Sequence, residues 1–281
     1  EVVEADSPGT VKPGDRVAVM PLGGCGTCRH CLTGEYIYCE QAPRFEEVHG
    51  SKEGTATMAQ YLLKQSWLLR PIPDDLSYEQ AALCCCALGP SYGAFERMGV
   101  GAADTVLITG AGPVGLGAVV NALFRGCRTL VVEGHPWRAE RARGLGAETV
   151  LDPAVENLAE EIRSCTDGRG VDASLDCSGV PAAQRVCIDA TRRRGQVAFV
   201  GECYDRTLEI TVSPDLIRKG LVLHGSWHYS LADYDGVVDV IRRSPLAPRL
   251  VSHRFPLSAI QEAMEVSASH DCAKILLNPW A

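Results

Sequence analysis

Between Thr105 and Arg242 the chain alternates short apolar runs with longer amphipathic ones. Val106-Leu107-Ile108, Leu130-Val131-Val132, Val150-Leu151, Ala173–Asp176, Val197–Val200 and Leu221-Val222-Leu223 are too short for helices and rich in β-branched residues. Such runs predict buried strands. The intervening and following segments, Val114–Phe124, Arg138–Leu145, Leu158–Cys165, Ala182–Thr191 and Tyr234–Arg242, have helical length and periodicity. Strands joined by helices need right-handed crossovers, so the pattern predicts an α/β, doubly wound parallel sheet.

The rhythm is absent on either side. Residues 1–80 read as β-rich and turn-rich: Pro13-Gly14-Asp15 leads into a strand at Arg16–Val19, with further strands predicted at Ala59–Leu63 and Trp67–Leu69. Asp75 or Ser77 can cap a helix carrying Glu79 to Leu83. Pro245 and Pro248 mark a boundary, after which strands at Val251–Phe255 and Ala273–Leu277 flank a short helix. This tail is expected to return to the first domain.

Gly110-Ala-Gly112-Pro113-Val114-Gly115 follows a predicted strand and opens a predicted helix, the context in which G-x-G-x-x-G carries meaning. Gly110 permits the tight turn, Gly112 lets backbone approach a pyrophosphate, and Gly115 allows close helix–strand packing. The helix N-terminus then faces the phosphates. The next strand ends at Glu133, where a carboxylate accepts ribose hydroxyls and repels a 2′-phosphate, favouring NAD over NADP. Arg138 is placed either to bind near the adenosine or to sit solvated on its helix.

Cys25, Cys28, Cys31 and Cys39 form C-x2-C-x2-C-x7-C among several glycines. Two-residue gaps let tight turns present successive thiolates to one metal ion. Zinc and iron–sulfur clusters both take thiolates; the seven-residue gap, followed by Glu40, departs from the C-x3-C-P ferredoxin ending and favours zinc. The alternative is free or disulfide-bonded cysteines. A closed four-sulfur shell leaves no position for substrate, so this zinc is structural.

Composition narrows the classes. Apolar residues at 46% and charged residues at 22% fit a soluble globular protein. A net charge of −8 argues against nucleic-acid and acidic-membrane partners. The run Arg192-Arg193-Arg194 reads as the solvated end of a helix. No apolar run approaches the ~20 residues that span a bilayer. Thirteen cysteines with no signal-peptide pattern predict a reducing, cytoplasmic setting. The chain opens at Glu1 inside a strand-like run and reads as a piece of something longer.

A four-cysteine lobe upstream of such a nucleotide unit resembles the zinc-containing medium-chain dehydrogenases, the alcohol and polyol dehydrogenase family. VKPGDRVAV, the lobe, a degenerate Gly54–Tyr61 segment, GAGPVG and HRFPLSAIQEAM…CAKILL carry the resemblance along essentially the whole chain. It implies a GroES-like catalytic domain from residue 1 to about 90, an NAD-binding Rossmann domain over 91–245, and a return to the catalytic domain over 246–281. It implies reversible oxidation of an alcohol or polyol by NAD, with nicotinamide near Val114, Val200 and Gly201, and a homodimer or homotetramer. Aligning Ser91-Tyr92-Gly93-Ala94 with the family's G-Y-G-A makes Cys86 a catalytic-zinc ligand, with Cys84 and Cys85 as buried neighbours. The family's other ligands would precede Glu1. None of His30, His49, His135, His224, His228, His253 or His270 has ligand spacing to replace them. Pro90 stands where the family usually has threonine, and Leu221 and Glu202 are unusual choices beside the nicotinamide ring. Two rival readings are a zinc-free, NADPH-using quinone-reductase relative and a truncated nucleotide-binding protein without activity.

Overall fold

A computed structural model describes residues 1–6, 10–54 and 57–281. Residues 7–9 of the opening run and 55–56 of the Gly54–Tyr61 segment lie outside the described residues. Two short strands, β1 (Val17–Val19) and β2 (Leu69–Pro71), pair antiparallel. Between them lie the cysteine lobe, with helix α1 (Arg29–Leu32), and helix α2 (Phe45–His49). The strand expected at Ala59–Leu63 does not form. No neighbouring strand offers it a ladder: Leu63 N–H donates to the Gly54 carbonyl, and Tyr61 and Leu63 face outward. Trp67 and Leu68 belong to a 3₁₀ turn, so the strand predicted there starts at Leu69.

Ser77 caps helix α3 (Tyr78–Ala81) in a reciprocal box with Gln80. A π-helical turn over Cys84–Leu88 follows and runs into α4 (Gly89–Met98). Six parallel strands come next: β3 (Thr105–Thr109), β4 (Arg128–Val132), β5 (Thr149–Leu151), β6 (Val171–Asp176), β7 (Thr191–Phe199) and β8 (Val222–Gly225). They are ordered β5-β4-β3-β6-β7-β8, with α5 (Pro113–Phe124), α6 (Pro136–Leu145), α7 (Leu158–Ser164) and α8 (Pro181–Ala190) as crossovers. Strand order reverses between β3 and β6, which opens the crevice where such sheets bind ligands. Val106, Leu107, Ile108, Leu130, Val131 and Leu175 are fully buried because helices cover both faces.

Arg192–Arg194 do not end a helix. Helix α8 stops at Ala190, and the three arginines open β7 at a register shift where Arg194 adopts φ +56°. Arg192 is held by the buried Asp172 carboxylate at 2.6 Å.

After α9 (Tyr234–Arg243) the tail forms β9 (Val251–Pro256), α10 (Ile260–Ser269) and β10 (Lys274–Asn278), with β9 and β10 parallel. The tail contacts residues of the first eighty. Arg254 pairs with Glu79 (2.8 Å), Gln60 donates to the Pro279 carbonyl (3.1 Å), and Trp280 meets Tyr61 edge-on.

Candidate functional site

The glycine turn has the geometry its spacing predicts. Gly110 sits at φ +83°, and a Cβ there would lie 2.8 Å from Ser178. A Cβ on Gly115 would strike the Gly110 carbonyl at 1.8 Å, whereas at Gly112 its nearest neighbour is the Arg138 guanidinium, 3.7 Å away. Gly115 thus closes the turn and Gly112 leaves it open to a ligand. Pro113 occupies the first position of α5, where its missing N–H is harmless, and the free amides of Val114 and Gly115 follow. The Glu133 carboxylate accepts the amides of Ala111 (2.6 Å) and His135 (2.7 Å), which fixes it beside the turn. Arg138 Nε is buried without a hydrogen-bond partner among the described residues.

Val200 and Gly201 follow β7 at the same end of the sheet and line a cavity of about 550 Å³. Glu202, Ser226 and Trp227 complete one wall; Glu35 and Tyr38 of the cysteine lobe and Arg97 of α4 form the other. Arg97 bridges Glu35 and Ser226 (2.9 Å each), and the Trp227 amide donates to the Tyr38 hydroxyl (2.9 Å). Leu221, expected beside the nicotinamide, is instead buried against Ile188 and Val197. It precedes β8 and so lies at the opposite end of the strand from the cleft. Ser226 and Trp227 were missed in the sequence. The signal was present, because ligands bind beyond the carboxyl ends of parallel strands and these residues follow β8.

The four cysteine sulfurs lie within 4.8 Å of one another. Cys25–Cys31 and Cys28–Cys39 are separated by 3.9 and 3.8 Å. A tetrahedral zinc with bonds of ~2.3 Å requires sulfur–sulfur edges of about 3.8 Å, so the donors fit the ion. Amides of Thr27 and Cys28 point at Cys25 Sγ and lower its thiol to about 6, whereas burial pushes Cys31 up to about 12. A Cβ on Gly24 would lie 3.0 Å from Cys31 Sγ and 3.1 Å from Trp67, so only glycine fits without displacement.

Cys86 is exposed, while Cys84 is buried and Cys85 donates to the Val19 carbonyl (3.2 Å). Cys86 carries the irregular backbone of the π turn (φ −109°, ψ 18°), and Cys85, expected to be buried, is only half-buried beside it. Pro90 is buried in the first turn of α4. Among the described residues, the lobe is the one group of three or more metal-binding side chains with converging donors, and no histidine joins it.

Comparison with known proteins places these features in context. The family described as zinc-binding dehydrogenase matches residues 113–243, and the alcohol dehydrogenase GroES-like domain matches residues 1–74. An uncharacterized zinc-type alcohol dehydrogenase-like protein of Escherichia coli is 34% identical over 95% of this chain and 75% of its own length. A sorbitol dehydrogenase of Bacillus subtilis is 30% identical over the same shares. The crystal structure of 2R,3R-butanediol dehydrogenase from Bacillus subtilis superposes with a TM-score of 0.84 at 28% identity, covering 99% of this chain and 78% of that one.

Proposed function

Since the chain belongs to the zinc-binding dehydrogenases, we propose that it transfers hydride between NAD and the CH–OH carbon of an alcohol or polyol. The observation that carries this reading is the open glycine turn on α5 with Glu133 fixed beside it. The amides of Val114 and Gly115 and the guanidinium of Arg138 bind the pyrophosphate; Glu133 accepts the adenosine ribose hydroxyls and disfavours NADP. Val200 and Gly201 orient the nicotinamide, and Tyr38 and Trp227 narrow access for water. Cys25, Cys28, Cys31 and Cys39 hold a structural zinc. Cys86 is this chain's ligand to a catalytic zinc, which when bound supplies a Lewis acid that lowers the pKa of an alcohol hydroxyl.

A polyol is the favoured substrate class, since relatives include a sorbitol dehydrogenase, an L-idonate 5-dehydrogenase of Vitis vinifera and a D-arabitol-phosphate dehydrogenase of Enterococcus avium. The domains divide at about residues 90 and 245. Free thiols throughout the chain support a reducing, cytoplasmic setting. Strand β8 leaves the sheet edge open with Val222 exposed, which supports pairing of two copies into a homodimer or a tetramer of such pairs. Zinc content, NADH fluorescence titration and turnover of sorbitol, L-idonate and 2,3-butanediol test the proposal on one preparation. Zinc-free protein that prefers NADPH would transfer the chain to the quinone-reductase reading, and NADH binding without turnover to the inactive one.

A further inference from the structure

Asp176 ends β6 and is fully buried, and among the described residues no Lys, Arg or His pairs with it. Its Oδ1 accepts the Thr109 hydroxyl (2.8 Å), the Ser178 amide (3.0 Å) and the Ser178 hydroxyl (2.6 Å). Its Oδ2 accepts the Gly179 amide (3.1 Å) and Gln184 Nε2 (3.1 Å). Its main-chain carbonyl takes two more bonds, from the amides of Val200 and Gly201 at 2.9 Å each. One residue therefore collects donors from the strand that leads into the glycine turn, from the β6–α8 loop, and from the segment after β7.

These three segments touch backbone to backbone. A Cβ on Gly110 would lie 2.8 Å from Ser178, one on Gly179 would lie 2.1 Å from the Glu202 carbonyl, and one on Gly201 would lie 2.2 Å from the Gly179 amide. The stack has no slack, so the position of the β6–α8 loop sets the separation between the Gly110 turn and the Val200–Gly201 edge.

We propose that Asp176 is a positioning residue for the coenzyme, holding the pyrophosphate turn and the nicotinamide edge in register; this rests on the NAD reading above. The chemistry needs a carboxylate. All five partners of the carboxylate donate, so an ionised carboxylate satisfies them, while an amide of the same shape in either orientation turns an NH₂ toward a backbone N–H, that of Ser178 or that of Gly179. Burial makes that mismatch costly and forces the loop to move. Asp172 provides the comparison: it is a buried carboxylate on the same strand, but at the end away from the cleft, where Thr105, Arg169 and Arg192 hold it.

The test measures NADH affinity by fluorescence titration and stability by urea midpoint on the whole chain, for wild type, Asp176→Asn, Thr109→Val and Asp172→Asn. Asp176→Asn is expected to raise the Kd for NADH about tenfold under conditions where it remains folded. Thr109→Val, which removes one donor, is expected to raise it by about two- to fivefold and reports the effect even where the first variant does not fold. Asp172→Asn is expected to lower the urea midpoint while leaving the Kd for NADH within about twofold of wild type. Wild-type affinity in folded Asp176→Asn, or in Thr109→Val where the former does not fold, overturns the inference alone. Equal weakening by Asp172→Asn also overturns it, because the effect would then be loss of stability. Absence of NADH binding by wild type overturns the coenzyme reading itself.

Discussion

The side chain of Asn121, in the middle of α5, donates to the carbonyl of Leu88 at 2.9 Å, at the end of the π turn that carries Cys86. It also donates to the Ser91 hydroxyl (2.8 Å), which itself donates to the same carbonyl (3.1 Å). A Cβ on Gly117, one turn earlier, would meet the Ala87 carbonyl at 1.8 Å. The helix that opens on the coenzyme thus abuts the turn that presents the cysteine, backbone against backbone. Asn121→Leu is expected to destabilise the fold by about 1–3 kcal/mol through loss of its two buried hydrogen bonds. Gly117→Ala is expected to reach at least the upper end of about 1–3 kcal/mol by overpacking. Urea unfolding curves of both variants check this; unchanged midpoints would remove the coupling.

Coenzyme choice is expected to rest on Glu133. Glu133→Gln removes the charge facing a 2′-phosphate, and the ratio of kcat/KM for NADP to that for NAD should rise about tenfold or more. Steady-state kinetics with both coenzymes measures it. An unchanged ratio would shift the discrimination to Arg138 or elsewhere.

Metal retention is expected to depend on the lobe's close packing. Gly24→Ala places a methyl against Cys31 Sγ and Trp67, and Cys39→Ser removes one thiolate. Both should release zinc to a chelator faster than wild type, with Cys39→Ser losing one zinc equivalent outright. Atomic emission before and after dialysis against a chelator records the stoichiometry.

Acid sensitivity is expected from His228. Burial lowers its pKa below the ordinary 6.5, and its Nδ1 is buried without a partner. The unfolded chain then takes up a proton at a pH where the folded chain does not. Stability from this group is therefore intact above about pH 6.5 and falls as pH drops toward the lowered folded value. His228 has φ +53°, which asparagine tolerates, so His228→Asn should flatten the fall of the urea midpoint as pH drops below about 6.5. An identical slope in the variant would assign the acid response to other groups.

The sheet was legible because its central strands β3, β4 and β6 are buried on both faces and its edge strands still carry short apolar runs. The glycine turn was legible because backbone proximity excludes side chains, and exclusion leaves a mark in the sequence. Ala59–Leu63 misled because a short apolar run specifies no partner, and among the described residues no strand pairs with it. Arg192–Arg194 misled because a strand can begin with charged residues where a buried Asp172 receives one of them. Asp176 and Asn121 could not be read at all: their partners lie as far as 67 residues along the chain, and only folding brings those donors together.

Gly34 has a further consequence. A Cβ there would lie 2.7 Å from the Ser230 hydroxyl, and its carbonyl accepts the Leu231 amide at 2.9 Å. With the Arg97–Glu35 and Tyr38–Trp227 contacts, this fastens the cysteine lobe to the segment between β8 and α9. The lobe is consequently a wall of the cavity that Val200 and Gly201 line, so whatever orders its four thiolates also orders that wall.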